Sequence, residues 1–397
     1  MPTVTPQPAT PSAHDRVVRF TRLAQPALRA TDWDRLARGV PFRSWAWMAN
    51  WWRHYGEPAA KRRASLFTLG VIDRAGALIG LAPWYLERSP AQGRVLRFLG
   101  TGEVCSDYLG ILCEPHAEDR VATALADWLT QAATGRTGTG EPDHANRWDR
   151  LDLTGVDAED AATARLVDAL EARGNTVHRR TGPNCWRIDL PPSWDEYLAG
   201  LSKDHRKQVR RAENRMLASG RVVARRVDCL DDLPEAQRIL VDLHQRRRRS
   251  LGEPGCFASA SFAAFHGAVM PDLLRAGQLH LDWIELDGKP LAVEYHLAGG
   301  GVIYAYQSGI DPDRLEVGPG QLSHVVALRR AIEQGDRAFD FLRGDEPYKA
   351  HWRARPRRSL RIRVVPSRTA AQWRHGIWLA GVGAKHWIQS SLRWAEG

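Results

Sequence analysis

The sequence predicts an α/β protein of the α+β kind, built as two tandem halves, each a mixed sheet flanked by helices. Three observations carry this. Apolar runs of period two alternate along the chain with stretches of helical periodicity, so neither an all-helical nor an all-strand reading fits. The order of those runs repeats: each half gives a strand meander, then a helix, a strand, a helix and a strand. A length of 397 residues, 43% hydrophobic and 26% charged, is ordinary globular material and enough for more than one domain. The expected division is a disordered tail over 1–30, a first domain over 31–190, a second over 191–366 and a Trp-rich basic helical tail over 367–397.

The elements follow in order. Phe42, Trp45, Met48, Trp52 and Tyr55 recur at helical spacing and predict an amphipathic helix stopped at Gly56. SLFTLGVID and ALIGLAPWYLER read as a hairpin, followed by strands in RVLRFLG and SDYLGILCEP. A helix fits 118–131, with Val121, Leu125, Trp128 and Leu129 on one face. RWDRLDLTG is a strand, DAEDAATARLVDALEARG a helix ended by Gly174, and NTVHRR and CWRIDLP are strands. The second half opens with a long basic helix over 193–220 and the strand RVVARRV. Helices follow in DDLPEAQRILVDLHQRRRRS and SFAAFHGAVMPDLLRAG, then three strands over 279–310 with turns at Asp287-Gly288 and at 298–301. The loop DPDRLEVGPG, the helix QLSHVVALRRAIEQG, the strand RAFDFLRG and a last strand RSLRIRVVP complete it.

Composition narrows the function. The net charge is +10 and is concentrated: residues 201–250 carry a net +7 and residues 351–397 a net +9. Two basic zones suit anionic partners, or simply a solvated cationic surface. Five scattered cysteines without Cys-x-x-Cys spacing predict reduced thiols, a cytoplasmic protein and no zinc site. The first residues have no basic-then-apolar leader pattern. The uncharged stretch 295–310 is broken by three glycines and is too short to span a bilayer. His-Glu-x-x-His, Gly-x-Ser-x-Gly and Walker patterns are missing, which disfavours metalloprotease, serine hydrolase and P-loop readings. No DNA-reading motif accompanies the basic zones. In the tail, Trp373, Trp378, Trp387 and Trp394 alternate with basic residues. That suits a membrane-surface helix peripheral to the inner membrane, or packing on the body of the protein.

The residues that carry chemistry cluster late in the chain. Gly318-Pro319-Gly320 joins a strand to a helix, a place where backbone amides can take a phosphate, although such a turn is also common without a ligand. Alternation along LAVEYHL puts Glu294 and His296 on one strand face, suited to base chemistry or to solvent. Asp340 sits between Phe339 and Phe341 in a buried strand and needs a partner, for which Arg343 and Lys349 are at hand. Arg343, Asp345, Glu346, Tyr348 and Lys349 crowd the strand end and the following turn, as a substrate site or as an ion-pair network. Arg206 and Arg210 share a helix face that could meet an anionic acceptor.

In order, PFRSWAWMANWW, APWYLERS, SDYLGIL, WDEYLAGLSKDHRKQVRR, LDGKPLAVEYHL, YAYQSGIDP, GPGQLSHVVALRRAIEQG and FDFLRGDEPYKAHW resemble the GNAT acyltransferase superfamily, in its CelD-like and FemAB-like branch. The resemblance spans about residues 33–365. It implies two GNAT-like domains, the first degenerate, with acetyl-CoA or another acyl-CoA as co-substrate in the second and no metal. It implies a V between strands over 302–309 and 338–342. Backbone at Gln307, Ser308 and Gly309 would pair with the pantetheine arm, and Val317, Gly318, Gly320, Gln321 and Leu322 would hold the pyrophosphate. Glu294 and Asp340 would be catalytic and Tyr348 would protonate the leaving thiolate. The acceptor it implies is an amine on a sugar, a peptide or an envelope or exopolysaccharide precursor. Alternatives are a FemAB-like enzyme using aminoacyl-tRNA, or a non-catalytic accessory of polysaccharide synthesis.

Overall fold

The computed structural model describes residues 15–57, 63–136, 141, 143–373 and 376. Strand Arg16–Phe20 pairs antiparallel with Thr68–Ile72. The expected tail over 1–30 is therefore structured from residue 16, because the alternation of RVVRF buries Phe20 in the core. The earlier residues and most of the expected C-terminal tail lie outside the described residues.

Two hairpin arms, Ala64–Leu66 with Thr68–Ile72 and Leu78–Ala82 with Trp84–Ser89, bend together at Phe67 and Pro83. There the Phe67 amide donates to the Trp84 carbonyl. The bend carries a four-stranded sheet into a six-stranded one. Trp84–Ser89 pairs with Gly93–Phe98, and helix Glu118–Thr134 crosses to Arg150–Asp157, which lies parallel to Gly93–Phe98. The second half repeats this order. Val222–Arg226, Leu279–Leu286, Lys289–Gly299 and Val302–Ile310 form an antiparallel meander. Helix Pro319–Glu333 then crosses to Ala338–Arg343, parallel to Val302–Ile310.

A strand from across the expected boundary completes each sheet. Cys185–Asp189, assigned to the first domain, pairs with Ala338–Arg343 of the second sheet. Ser359–Val365, assigned to the second domain, pairs with Arg150–Asp157 of the first. Divisions at 190 and 366 therefore do not follow the sheets. The exchange covers an edge of each parallel strand, which would otherwise present unpaired backbone groups. Periodicity identifies a strand but not its neighbour.

The two halves also share a core. Trp47 packs edge-on against Phe265 and Tyr306, and Phe42 against Tyr304, so the first helical pair seats directly on the second half. Burial of such rings contributes roughly 1.5–3 kcal/mol each. Two expectations for local structure differ from what is seen. The helix over 193–220 is broken into Trp194–Gly200 and Lys203–Ala212, capped by the hydroxyls of Ser193 and Ser202, with a π-helical turn over Glu213–Leu217. SDYLGIL is no strand before Leu112, because Tyr108 sits in the left-handed region at φ 58°.

Candidate active site

Val302–Ile310 and Ala338–Arg343 pair only as far as Tyr304 and Asp340. Beyond that the strands part. A register shift opposite Tyr295/His296 marks a bulge in Val302–Ile310, and a bulge bends its strand away from its neighbour. The result is the expected V, and the backbone of 305–310 lies past the last parallel pair.

On one face of the V stands helix Pro319–Glu333. Its N-cap, Gly318, has φ 69° and offers no side-chain cap, and Pro319 at the first position has no N–H to donate. The Leu322 amide closes on the Gly318 carbonyl at 3.1 Å, and the Leu322 side chain is core. Val317 packs against the same small core. Of the five expected phosphate-binding residues, Gly320 and Gln321 are those whose amides belong to the uncapped first turn. A Cβ on Gly320 would meet nothing within 4 Å, so that turn is open to a ligand. The turn and the adjoining strand thus fit a diphosphate and an extended amide arm.

Behind this helix lies a polar cluster. Glu294 is 5% exposed, not on a solvent face. The Ser323 hydroxyl donates to it at 2.5 Å, His296 Nε2 lies 3.4 Å away and His324 Nε2 3.9 Å away. Burial alone would raise this carboxyl, but the two imidazoles and the Ser323 hydroxyl outweigh it and hold it below its usual range. Glu294 is therefore a buried carboxylate beside His324. Burial lowers the His324 imidazole, which favours its neutral form. Its ring stacks on Tyr348, centroids 5.7 Å apart and 11° from parallel. Tyr348 is 44% exposed. Burial of its buried part, together with Glu294 and Glu346, raises its phenol and keeps it protonated.

On the other face the first half reaches in. The Tyr306 hydroxyl donates to the Val104 carbonyl at 2.8 Å. The Tyr108 hydroxyl donates to Asp340, and the Leu342 amide donates to the same carboxylate at 2.8 Å. Arg343 Nε meets Asp107 at 2.8 Å and its Nη2 meets the Ser106 carbonyl at 2.6 Å. Asp340 is thus partnered by Tyr108 and a backbone amide, not by Arg343 or Lys349 as expected. Tyr108 comes from 232 residues upstream, out of reach of any local reading. Burial raises the Asp340 carboxyl to about 6, against the lowering effect of the Tyr108 hydroxyl.

The expected substrate-binding residues divide in the same way. Lys349 is buried and donates to the carbonyls of Leu342, Arg343 and Gly344 at 2.9–3.1 Å, with Glu346 2.8 Å away. It locks the turn rather than offering its ammonium to a substrate. Asp345 accepts from Trp186 at 2.9 Å and from Asn184 at 3.2 Å. Arg206 donates to the Ala199 carbonyl, and Arg210 is exposed on the same short helix. Much of the basic zone is spent internally as well: Arg246 pairs with Asp311 and Asp313, and Arg248 with Glu253.

What the sequence did not single out is a groove. Three cavities of about 300, 440 and 540 Å³ share Arg187. The innermost is walled by Tyr108 and Tyr304 and by Arg43 and Arg357. Those arginines are held by carboxylates, Arg43 by Asp160 and Arg357 by Asp157 at 2.6 Å. Outward, the groove passes Arg355 and Arg358, then Arg353. The only local signal for it was the density of arginine over 353–358.

Residues 203–350 match the family model described as an acetyltransferase (GNAT) domain. Among solved structures, FemX is similar over 84% of this chain and 95% of its own, at 12% identity and a TM-score of 0.59. A conserved protein of unknown function from Bacteroides thetaiotaomicron VPI-5482 is similar over 85% of this chain and 97% of its own, at 12% identity and a TM-score of 0.52. No curated protein matches. The fold is a tandem GNAT fold of FemAB-like arrangement. No helix among the described residues is long and apolar enough to cross a membrane.

Proposed function

We propose that this tandem GNAT protein transfers an acyl group from a thioester such as acetyl-CoA, held in the V of its second half, to an amine lying in the arginine-walled groove. One observation carries the reading. Tyr304 and Asp340 mark the point where the V opens, and Tyr304 and the Asp340 partner Tyr108 both wall the inner end of the groove. Donor and acceptor would then approach one gap from its two sides.

The donor's diphosphate would rest on the amides of Gly320 and Gln321, and its pantetheine arm would lie along Gln307, Ser308 and Gly309 as an added strand. The co-substrate supplies the activated acyl carbonyl. On the donor side Tyr348, kept protonated, would give its proton to the leaving thiolate, and solvent would restore it, with the His324 ring stacked against the phenol to position it. On the acceptor side the amine must shed a proton. Asp340, with a carboxyl near 6, is matched to that task at neutral pH, and Tyr108 would pass the proton inward to it. Guanidinium and carboxylate groups alternate along the groove, which suits an acceptor carrying an anionic group beside its amine.

The test is thiol release from acetyl-CoA with a panel of amines: a neutral amino sugar, an amino-sugar phosphate and an amino acid. Release should be strongest with the acceptors that carry both charges. Absence of release with every amine, together with no CoA-induced thermal shift, would overturn the reading.

A further inference from the structure

Helix Leu233–Ser250 packs its last turns against the bulged strand, so closely that a Cβ on Gly309 would lie 2.5 Å from the His244 backbone nitrogen. At that contact the helix carries a buried imidazole to which the chemistry above gives no role. His244 is 2% exposed. Its Nδ1 lies 3.1 Å from Gln245 Oε1 and its Nε2 lies 3.4 Å from the sulfur of Cys256. The tautomer follows from the neighbours. Gln245 Nε2 donates to the Pro254 carbonyl at 3.0 Å, which turns Gln245 Oε1 toward the imidazole. An oxygen there favours a proton on His244 Nδ1 and a lone pair on Nε2, facing the thiol, with the Gln307 side chain as a further hydrogen-bond partner of the ring. Gly255 makes this fit, since a side chain on it would collide with Gln245 Oε1. Cys256 itself is partly exposed at the start of a short 3-10 turn, Cys256–Ala258.

We infer that Cys256, with His244 as its base and Gln245 as the group that orients the base, is a nucleophilic thiol that accepts an acyl group from a thioester. The arrangement has the three parts such a nucleophile needs: a thiol, a base within hydrogen-bond reach and a third group that fixes the base. Burial raises the thiol to about 12, so the resting pair is neutral and the proton leaves only as the sulfur attacks. The backbone amides of Cys256 and Phe257 and the charge of Arg248 favour the sulfur anion as it forms. In the step, a bond forms between Cys256 sulfur and the acyl carbon, and the donor's carbon–sulfur bond breaks. The thiol proton passes through His244 Nε2 to the departing thiolate, so no oxidant or further reactant is required. That the donor in the cell is the thioester of the V rests on the proposed function; the reactivity of the thiol does not.

The experiment uses the full chain and a small acetyl thioester, S-acetyl-N-acetylcysteamine, with labelling at each cysteine followed by peptide mass spectrometry. Cys105 and Cys229 are internal controls, being exposed thiols. Cys256 should acylate at least ~10-fold faster than either, despite its lesser exposure, and His244→Gln should remove that advantage. Labelling of Cys256 no faster than the exposed thiols in the wild-type protein would overturn the inference without recourse to any variant. So would an unchanged rate in folded His244→Gln protein. If Cys256 labels rapidly while no amine ever promotes thiol release from acetyl-CoA, the transferase reading fails and this one stands.

Discussion

The two halves have the same strand order and opposite fates at the equivalent place. In the first half the parallel strands pair at Val95↔Arg150 and Leu96↔Leu151. The gap beyond is filled by the protein's own chain: the Leu109 amide donates to the Gly155 carbonyl at 2.9 Å and Leu109 bridges Val156. That backbone fills the gap from the side of Arg150–Asp157, the strand equivalent to Ala338–Arg343. In the second half, pairing stops at Tyr304↔Asp340 and the descending strand continues past it. The segment that plugs the first V also supplies Asp107 and Tyr108 to the second. A degenerate half can thus serve as a structural insert that completes its twin's site, and only one donor site per chain is expected.

The largest effect that could break this contrast is at Tyr348. Tyr348→Phe keeps the stack on His324 and removes the hydroxyl, so turnover in the thiol-release assay should fall ~10²–10⁴-fold with donor affinity nearly unchanged. A wild-type rate would show that the proton comes from elsewhere. Calorimetry with CoA should give one site per chain, in wild type and variant alike; two sites would mean the first V opens.

The next effect tests the strap between the halves. Asp107→Asn removes the buried carboxylate that Arg343, itself a third exposed, pairs with, and should cost roughly 1–2 kcal/mol in urea unfolding, since solvent screens the guanidinium left behind. Asp340→Asn should not, because an amide oxygen can still accept from the Leu342 amide and its nitrogen can meet Tyr108. Its signature is instead in pH dependence. The Asp340 carboxyl is raised in the folded state, from 3.8 to about 6. The stability it contributes is therefore full below about pH 4 and lost as pH rises through about 6. Wild type should lose roughly 3 kcal/mol over that window relative to Asp340→Asn. Parallel stability curves for the two proteins would show that Asp340 titrates normally.

The smallest effect sharpens the donor turn. Gly320→Ala meets open space and should change stability by less than ~0.5 kcal/mol. Gly320→Glu puts a carboxylate where an anion is expected and should abolish the CoA-induced thermal shift while the melting temperature without CoA stays. A shift that persists would place the ligand elsewhere.

The sequence by itself determined the local pieces. Period-two runs, helical spacing and the Gly-Pro-Gly turn located the two meanders and the crossover helix with its open N-terminus, because each depends on residues within a few turns of one another; the parting of the strands came only from the family resemblance. It also singled out Tyr348, Glu294 and Asp340 as candidates. Only the tertiary structure decided what those residues touch. Asp340 is partnered by Tyr108, Arg343 is taken by Asp107 and Lys349 is spent on its own turn. Glu294 lies beside a histidine that the sequence did not single out. The strand exchange between the halves and the groove past Arg187 were likewise invisible. A buried charge takes the nearest group of fitting geometry in space, and for these residues that group lies far away along the chain, where no periodicity reaches.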